Sequence, residues 1–273
     1  MSSSVSRRTL HVSETLVSWP TYQIIFMTWK DNFSKQASGY AQYRPHYPPV
    51  LFDFLNSLVT QKQLAWDCGT GNGQVAAQLA SSFQHVVATD ASQAQIAQAD
   101  PVKNVEYRVA TAENSGLPDH SVNLMTVAQA IHWFNFDGFY QEVKRVAAEN
   151  AILAIWGYGL LRITPQLDAI IDRFYTDIVG QYWDQERRHL DNAYQTIPFP
   201  FEQLDIPDFN MMLTWNLSEL IGYLNTWSSV QKYIVQNENN PVTQIIPDLT
   251  SHWGKPELSR PIRWDIFMKV AKL

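Results

Sequence analysis

Residues 64–80 read LAWDCGTGNGQVAAQLA: an apolar run, an acid, three glycines within five positions, then an alanine-rich helical pattern. A strand, a tight turn and a helix in that order bring bare backbone close to a ligand at the strand's carboxyl end. A dinucleotide fingerprint is G-x-G-x-x-G, which needs glycine at position 74. Here the glycines are Gly69, Gly71 and Gly73, and Gln74 stands in the decisive place. Asp67, two residues before the first glycine, would repel a pyrophosphate. It would accept hydrogen bonds, directly or through water, from a cationic amino-acid headgroup. The stretch therefore reads as a cradle for such a headgroup beside a nucleoside.

Working outward, strand-like and helical runs alternate. HVVATD (85–90) precedes the helical ASQAQIAQA, and NVEYRVA (104–110) and VNLMTVA (122–128) follow. FDGFYQEVKRVA (136–147) is helical and AILAIWGY (151–158) is again strand-like. Upstream, PPVLFDFLNSLVT (48–60) carries apolar residues at 51, 54, 55, 58 and 59, a helix opened by prolines. Five strands with such connections predict an α/β, doubly wound, mostly parallel sheet, with ligands at the strands' carboxyl ends. Beyond 158, TPQLDAIIDRFYTDIVGQYW (164–183) and SELIGYLNTWSSVQKYI (218–234) each read as one helix. FNMMLTWNL (209–217) and the terminal RPIRWDIFMKVAKL read as strands at the sheet edge. Residues 159–208 are expected to form an inserted helical cap.

The chain has 273 residues, 45% apolar and 13% aromatic, with a formal net charge of −6 and no block of Lys or Arg. That balance argues against a broad nucleic-acid footprint. Its one cysteine, Cys68, excludes an intrachain disulfide framework, and no His, Asp or Glu grouping has metal-ligand spacing. No run of about 18 uncharged apolar residues exists, so no membrane span is expected. Residues 1–30 are expected to be a poorly ordered extension and 31–273 a single domain, in a cytoplasmic protein.

Several further positions carry chemistry. Asp90, closing the second strand, suits two ribose hydroxyls or a helix N-cap. In VATAENSGLP (109–118), Glu113 and the backbone of Thr111 and Ala112 would face an adenine. His132 and Trp133 follow the fourth strand, where an imidazole could take a proton from an attacking hydroxyl or amine. Phe174, Tyr175, Tyr182, Trp183 and Trp227 would either close over an apolar acceptor or simply fill a core.

Together these residues resemble the class I S-adenosylmethionine-dependent methyltransferases over about residues 33–158. The likeness is closer to their type 11 small-molecule branch, which includes trans-aconitate methyltransferase-like proteins. FSKQASGYAQYRPHYP (33–48), VAQAIHWF (127–134) and GYLNTWSSVQ (222–231) carry that likeness. The resemblance implies a seven-stranded Rossmann-like sheet and S-adenosyl-L-methionine as cofactor. It implies that Asp67, Gly69, Thr70, Gly71 and Gly73 cradle the methionine part, and that Asp90, followed by Ala91, binds ribose. Ala112 and Glu113 would border adenine, with Thr111 where many members have aspartate, and Ala128 would lie beside the cofactor. Tyr40, Tyr43 and Arg44 would lie over the entrance, and His132 is the candidate catalytic residue. The implied reaction methylates a small molecule at oxygen, carboxylate or hydroxyl, with no nucleic-acid or membrane partner, in a monomer or homodimer. Two alternatives remain at this stage: an NAD(P)-dependent oxidoreductase, against which Gln74 and Asp67 speak, and a non-catalytic binding protein of the same fold. A nucleic-acid amino methyltransferase would carry Asn/Asp-Pro-Pro-aromatic where Gln129-Ala-Ile-His132 stands.

Overall fold

The computed structural model describes residues 45–273. Tyr40, Tyr43 and Arg44 lie outside the described residues, as does the extension expected over 1–30. Strands β1 (Leu64–Cys68), β2 (His85–Asp90), β3 (Val105–Val109), β4 (Val122–Ala128) and β5 (Ala147–Tyr158) pair in parallel, in the order β3-β2-β1-β4-β5. The chain winds outward from β1 to β3 and returns to lay β4 on the other side of β1. In sheets of this kind that reversal, at the carboxyl ends of β1 and β4, is where a ligand crevice forms. The late strands β6 (Phe209–Trp215) and β7 (Arg260–Lys272) complete a seven-stranded sheet. β7 runs antiparallel between β5 and β6, so the full order is β3-β2-β1-β4-β5-β7-β6.

Both faces of the sheet are covered, which is why its central strands read as nearly continuous apolar runs. Ala65, Leu124, Ile152 and Trp156 face one core, packed by α1 (Pro49–Leu58) and α2 (Gln74–Leu79). Their chain neighbours Trp66, Met125, Leu153 and Ile155 face the other, packed by α4 (Phe136–Val146). Helix α1 has no side-chain N-cap but buries Leu51, Phe52 and Leu55. Each such burial is worth about 1.5–3 kcal/mol against about 1 kcal/mol for a cap, so packing holds the helix. Cys68 is buried, and burial pushes its thiol pKa well up.

Three helices differ from expectation. The run after Asp90 shrinks to the single turn α3 (Gln93–Ile96), capped by Ser92. The 164–183 helix stops as α5 (Pro165–Arg173), and the chain continues through a π-turn at Phe174–Ile178. The 218–234 helix divides into α7 (Leu217–Asn225) and α8 (Ser228–Asn237), with Trp227 extended at φ −65°, ψ 133° between them. The Trp227 ring packs against Phe174, Tyr175, Trp183 and Tyr223 at 5.7–6.1 Å, and that seat overrides the helical stripe. The cover over this side of the sheet is shared between two connections. The first, 159–208, supplies α5 and α6 (Arg188–Asp191). The second supplies α7, α8 and α9 (Ile246–Trp253), with α9 packed on α5.

Candidate active site

The glycine loop turns sharply at the carboxyl end of β1. Gly69 and Gly71 have φ of +69° and +58°, backbone that residues with a Cβ rarely adopt. A Cβ on Gly69 would stand 2.5 Å from Cβ of Ala130, whereas one on Gly71 would meet nothing nearer than Gln95 Oε1 at 3.7 Å. Gly69 is therefore bare so that the loop can pack against the segment after β4, whereas among the described residues a Cβ on Gly71 would make only an ordinary contact. Gly73 precedes α2 and packs on the Tyr107 ring. The N–H groups of Gly69 and Thr70 both donate to the Thr89 carbonyl, at 2.8 and 2.9 Å, tethering the loop to β2.

The two acids have separate roles. Asp67 is 1% exposed, and its oxygens accept from Thr126 Oγ1 at 2.8 Å and Thr70 Oγ1 at 2.5 Å. Burial raises its pKa to about 6, against the partial opposition of the two hydroxyls. Asp67 thus braces the loop from below. Asp90 is only partly buried. Its Oδ2 accepts from Gly71 N at 2.9 Å and its Oδ1 from Ser92 N, just past Ala91, at 2.8 Å. These bonds fix the carboxylate beside the glycine loop. The N-cap of α3 is Ser92 rather than Asp90.

After β3, Thr111 and Asn114 form an isolated antiparallel bridge, which turns the chain over the neighbouring strand ends. Ala112 is buried, and Glu113 Oε1 accepts from Asn135 N at 2.9 Å, at the start of α4. β4 ends at Ala128, and Gln129 follows with φ +56°. Its side-chain oxygen accepts from Tyr158 N at 3.1 Å, locking the end of β4 to the end of β5. A single 3-10 turn, Ile131–Trp133, then carries His132.

His132 is buried, and its Nδ1 lies 3.0 Å from Tyr194 Oη, so one of the two groups donates to the other. Burial first, then the charges of Arg187 and His189, lowers the imidazole pKa to about 3; the ring is neutral at pH 7. Its Nε2 makes no hydrogen bond among the described residues and is not among the sealed polar atoms lacking one. Tyr194 gives no sequence signal. It arrives from the connection before β6, with consecutive left-handed φ values of +48° at Ala193 and +57° at Tyr194. Strain of that kind persists only where the surroundings enforce it.

The aromatic residues expected over the site divide in two. Phe174 is fully buried beneath the cover, and Tyr182 is buried against Tyr233. Tyr175, Trp183 and Trp227 form a triangle of rings 5.0–5.8 Å apart. Arg187, to which the sequence assigned no role, stacks on two rings of this triangle, Trp183 and Tyr175. Among the described residues no group of His, Cys, Asp or Glu could hold a metal ion, and no helix is long and apolar enough to cross a membrane.

Comparison with known proteins follows the same geometry. A family model described as a methyltransferase domain matches residues 66–155, from β1 into β5. A methyltransferase of Dictyostelium discoideum is 37% identical over 219 residues, 79% of this chain and 83% of the relative. A Saccharomyces cerevisiae protein named as an S-adenosylmethionine-dependent methyltransferase is 27% identical over 177 residues, 58% of this chain and 59% of its own. A solved structure from Anaeromyxobacter dehalogenans, described as a type II methyltransferase, is 39% identical with a TM-score of 0.79. It covers 84% of this chain and 98% of its own.

Proposed function

We propose a small-molecule acceptor methylated at oxygen for this chain, which belongs to the class I S-adenosylmethionine-dependent methyltransferases. The observation that carries the site assignment is the glycine backbone turning at the carboxyl end of β1 beside the Asp90 carboxylate, which accepts from Gly71 N and Ser92 N. These residues fit the cofactor. The Gly69–Gly73 backbone and Thr70 would hold its methionine part, Asp90 beside Ala91 its ribose, and Ala112 with Glu113 would border its adenine. Ala128 would lie beside it at the end of β4, with Tyr40 and Arg44 over the entrance.

When bound, S-adenosylmethionine supplies a methyl group already activated by the sulfonium. The protein's own contribution is then position and exclusion of water. Asp67 fixes the loop, Gln129 fixes the β4 end, and the neutral His132 offers Nε2 as a hydrogen-bond partner for the acceptor oxygen. An imidazole with a pKa near 3 is a weak general base at pH 7. A carboxylate acceptor is ionised and requires no base, whereas a hydroxyl would pass its proton to His132 or water. The low basicity therefore favours acids over alcohols. An amine would arrive as an ammonium beside the cationic Arg187, which disfavours nitrogen acceptors.

Calorimetry tests the reading directly: S-adenosylhomocysteine is expected to bind and NADH is not. Asp90→Ala is expected to weaken that binding by about 1–3 kcal/mol, the scale of hydrogen bonds to a charged group. Binding of NADH alone would overturn the assignment. In a panel of acids, phenols and amines supplied with S-adenosylmethionine, release of S-adenosylhomocysteine with amines only would overturn the oxygen reading.

A further inference from the structure

The connection from β5 to β6 brings a cation to the border between the cover and the strand ends. Arg187 closes a short 3-10 turn, Gln185–Arg187, that packs against the turn Ile131–Trp133 carrying His132. Its guanidinium carbon lies 3.9 Å from the Trp183 ring centroid and 5.2 Å from that of Tyr175. Nε donates to Tyr175 Oη at 2.6 Å, and the same hydroxyl donates to Asp191 Oδ1 at 2.5 Å. Asp191 itself stands 3.9 Å from Nε, beyond hydrogen-bond reach.

One face and one edge of the guanidinium are thus fixed by the protein. Nη1 and Nη2 donate no hydrogen bond among the described residues, and the side chain keeps 25% of its surface exposed. A planar fork held by stacking, with its outer donors unused, is preorganised for a carboxylate. Arg187 thus stands between the turn after β4 and the Trp183 ring. Tyr175, which fixes the edge, sits on the π-turn that interrupts the expected helix, a distortion common at functional sites.

We infer that Arg187 anchors the acceptor by an anionic group, and that the acceptor class is carboxylic acids with an apolar body lying against Trp183. The inference rests on the methyl-transfer reading and narrows its acceptor. Two costs oppose the binding: desolvation of the carboxylate, and the repulsion of Asp191. The first is offset by the two free Nη donors, and the second is reduced because Asp191 is already hydrogen-bonded to Tyr175.

The test is calorimetry on the full chain saturated with S-adenosylhomocysteine, titrated with cinnamate and with cinnamamide, which has the same shape without the charge. The acid is expected to bind at least about tenfold tighter than the amide, the weight of one charge-assisted hydrogen bond. Arg187→Gln keeps a planar group at the Trp183 ring and is expected to remove that preference. Its affinity for S-adenosylhomocysteine should stay unchanged, which also establishes that the variant is folded. Tyr175→Phe, which releases the Nε edge, is expected to reduce acid binding by a smaller factor. Equal binding of acid and amide, no binding of either, or full acid affinity in Arg187→Gln would each overturn the anchor. Failure of the wild-type chain to bind S-adenosylhomocysteine would instead overturn the methyl-transfer reading beneath it.

Discussion

Asp67 is an acid that the fold holds in the wrong environment for charge, 1% exposed between two threonine hydroxyls. Its folded pKa, pushed up to about 6 from 3.8, makes the native state bind a proton that the unfolded chain has already lost. The stability it contributes is therefore fully present below about pH 4 and is lost as pH rises through about 6. The scale is on the order of 3 kcal/mol, since each pKa unit corresponds to about 1.4 kcal/mol. Asp67→Asn keeps the size and carries no charge. Urea unfolding at a series of pH values should show the variant gaining on the wild type between pH 4 and 7, and then holding level. A difference that does not change with pH would mean that Asp67 titrates as an ordinary surface carboxylate. The acid was readable as a ligand candidate from its place before the glycines; its role as a brace was not, because Thr126 lies 59 residues away.

At the level of elements, the glycine loop does two jobs that a single substitution each can separate. Gly69→Ala forces a methyl against Ala130 on top of an unfavourable φ. It should destabilise the fold by at least about 1 kcal/mol in thermal melts and also lose S-adenosylhomocysteine binding. Among the described residues Gly71→Ala meets no neighbour nearer than 3.7 Å, so its melt should fall by the cost of the left-handed backbone, about 1 kcal/mol. Its methyl would nevertheless fill the space assigned to the cofactor, and binding should drop as steeply as in Gly69→Ala. A Gly71→Ala variant that binds normally would move the cofactor off the loop. Strands and loop were legible because β1, β2 and β4 are short apolar runs whose ends coincide with Gly, Asp or Gln, and run length with those flanking residues locates them. The helices of the cover were less legible. Trp227 and Phe174 lie on helical stripes, yet ring packing between distant segments sets their backbone, and no local pattern records it.

Among the described residues, the strand order brings those assigned to the loops after β1 to β4 to one end of the sheet. Gly69–Gly73 follow β1, Asp90 closes β2, Ala112 and Glu113 follow β3, and Gln129 and His132 follow β4. That convergence could be anticipated, because parallel strands share a carboxyl edge whatever their sequence. Arg187 and Tyr194 could not be, since both arrive from an irregular connection and reach the site only through tertiary contact. The topology also makes a spatial prediction for ligand binding. A ligand that binds only the native state at about 100 times its Kd adds about 2.7 kcal/mol to stability, shared by all amides that exchange through global unfolding. Amides that exchange through local opening should slow only where the ligand closes that opening. With S-adenosylhomocysteine, hydrogen exchange should therefore slow most at 69–73, 90–92, 111–114 and 128–134, the loops on the carboxyl edge. The opposite edge, near Lys144, Asn150 and Lys272, should change least. Protection centred on that opposite edge would place the nucleoside elsewhere, and the four strand ends would then share only a common direction.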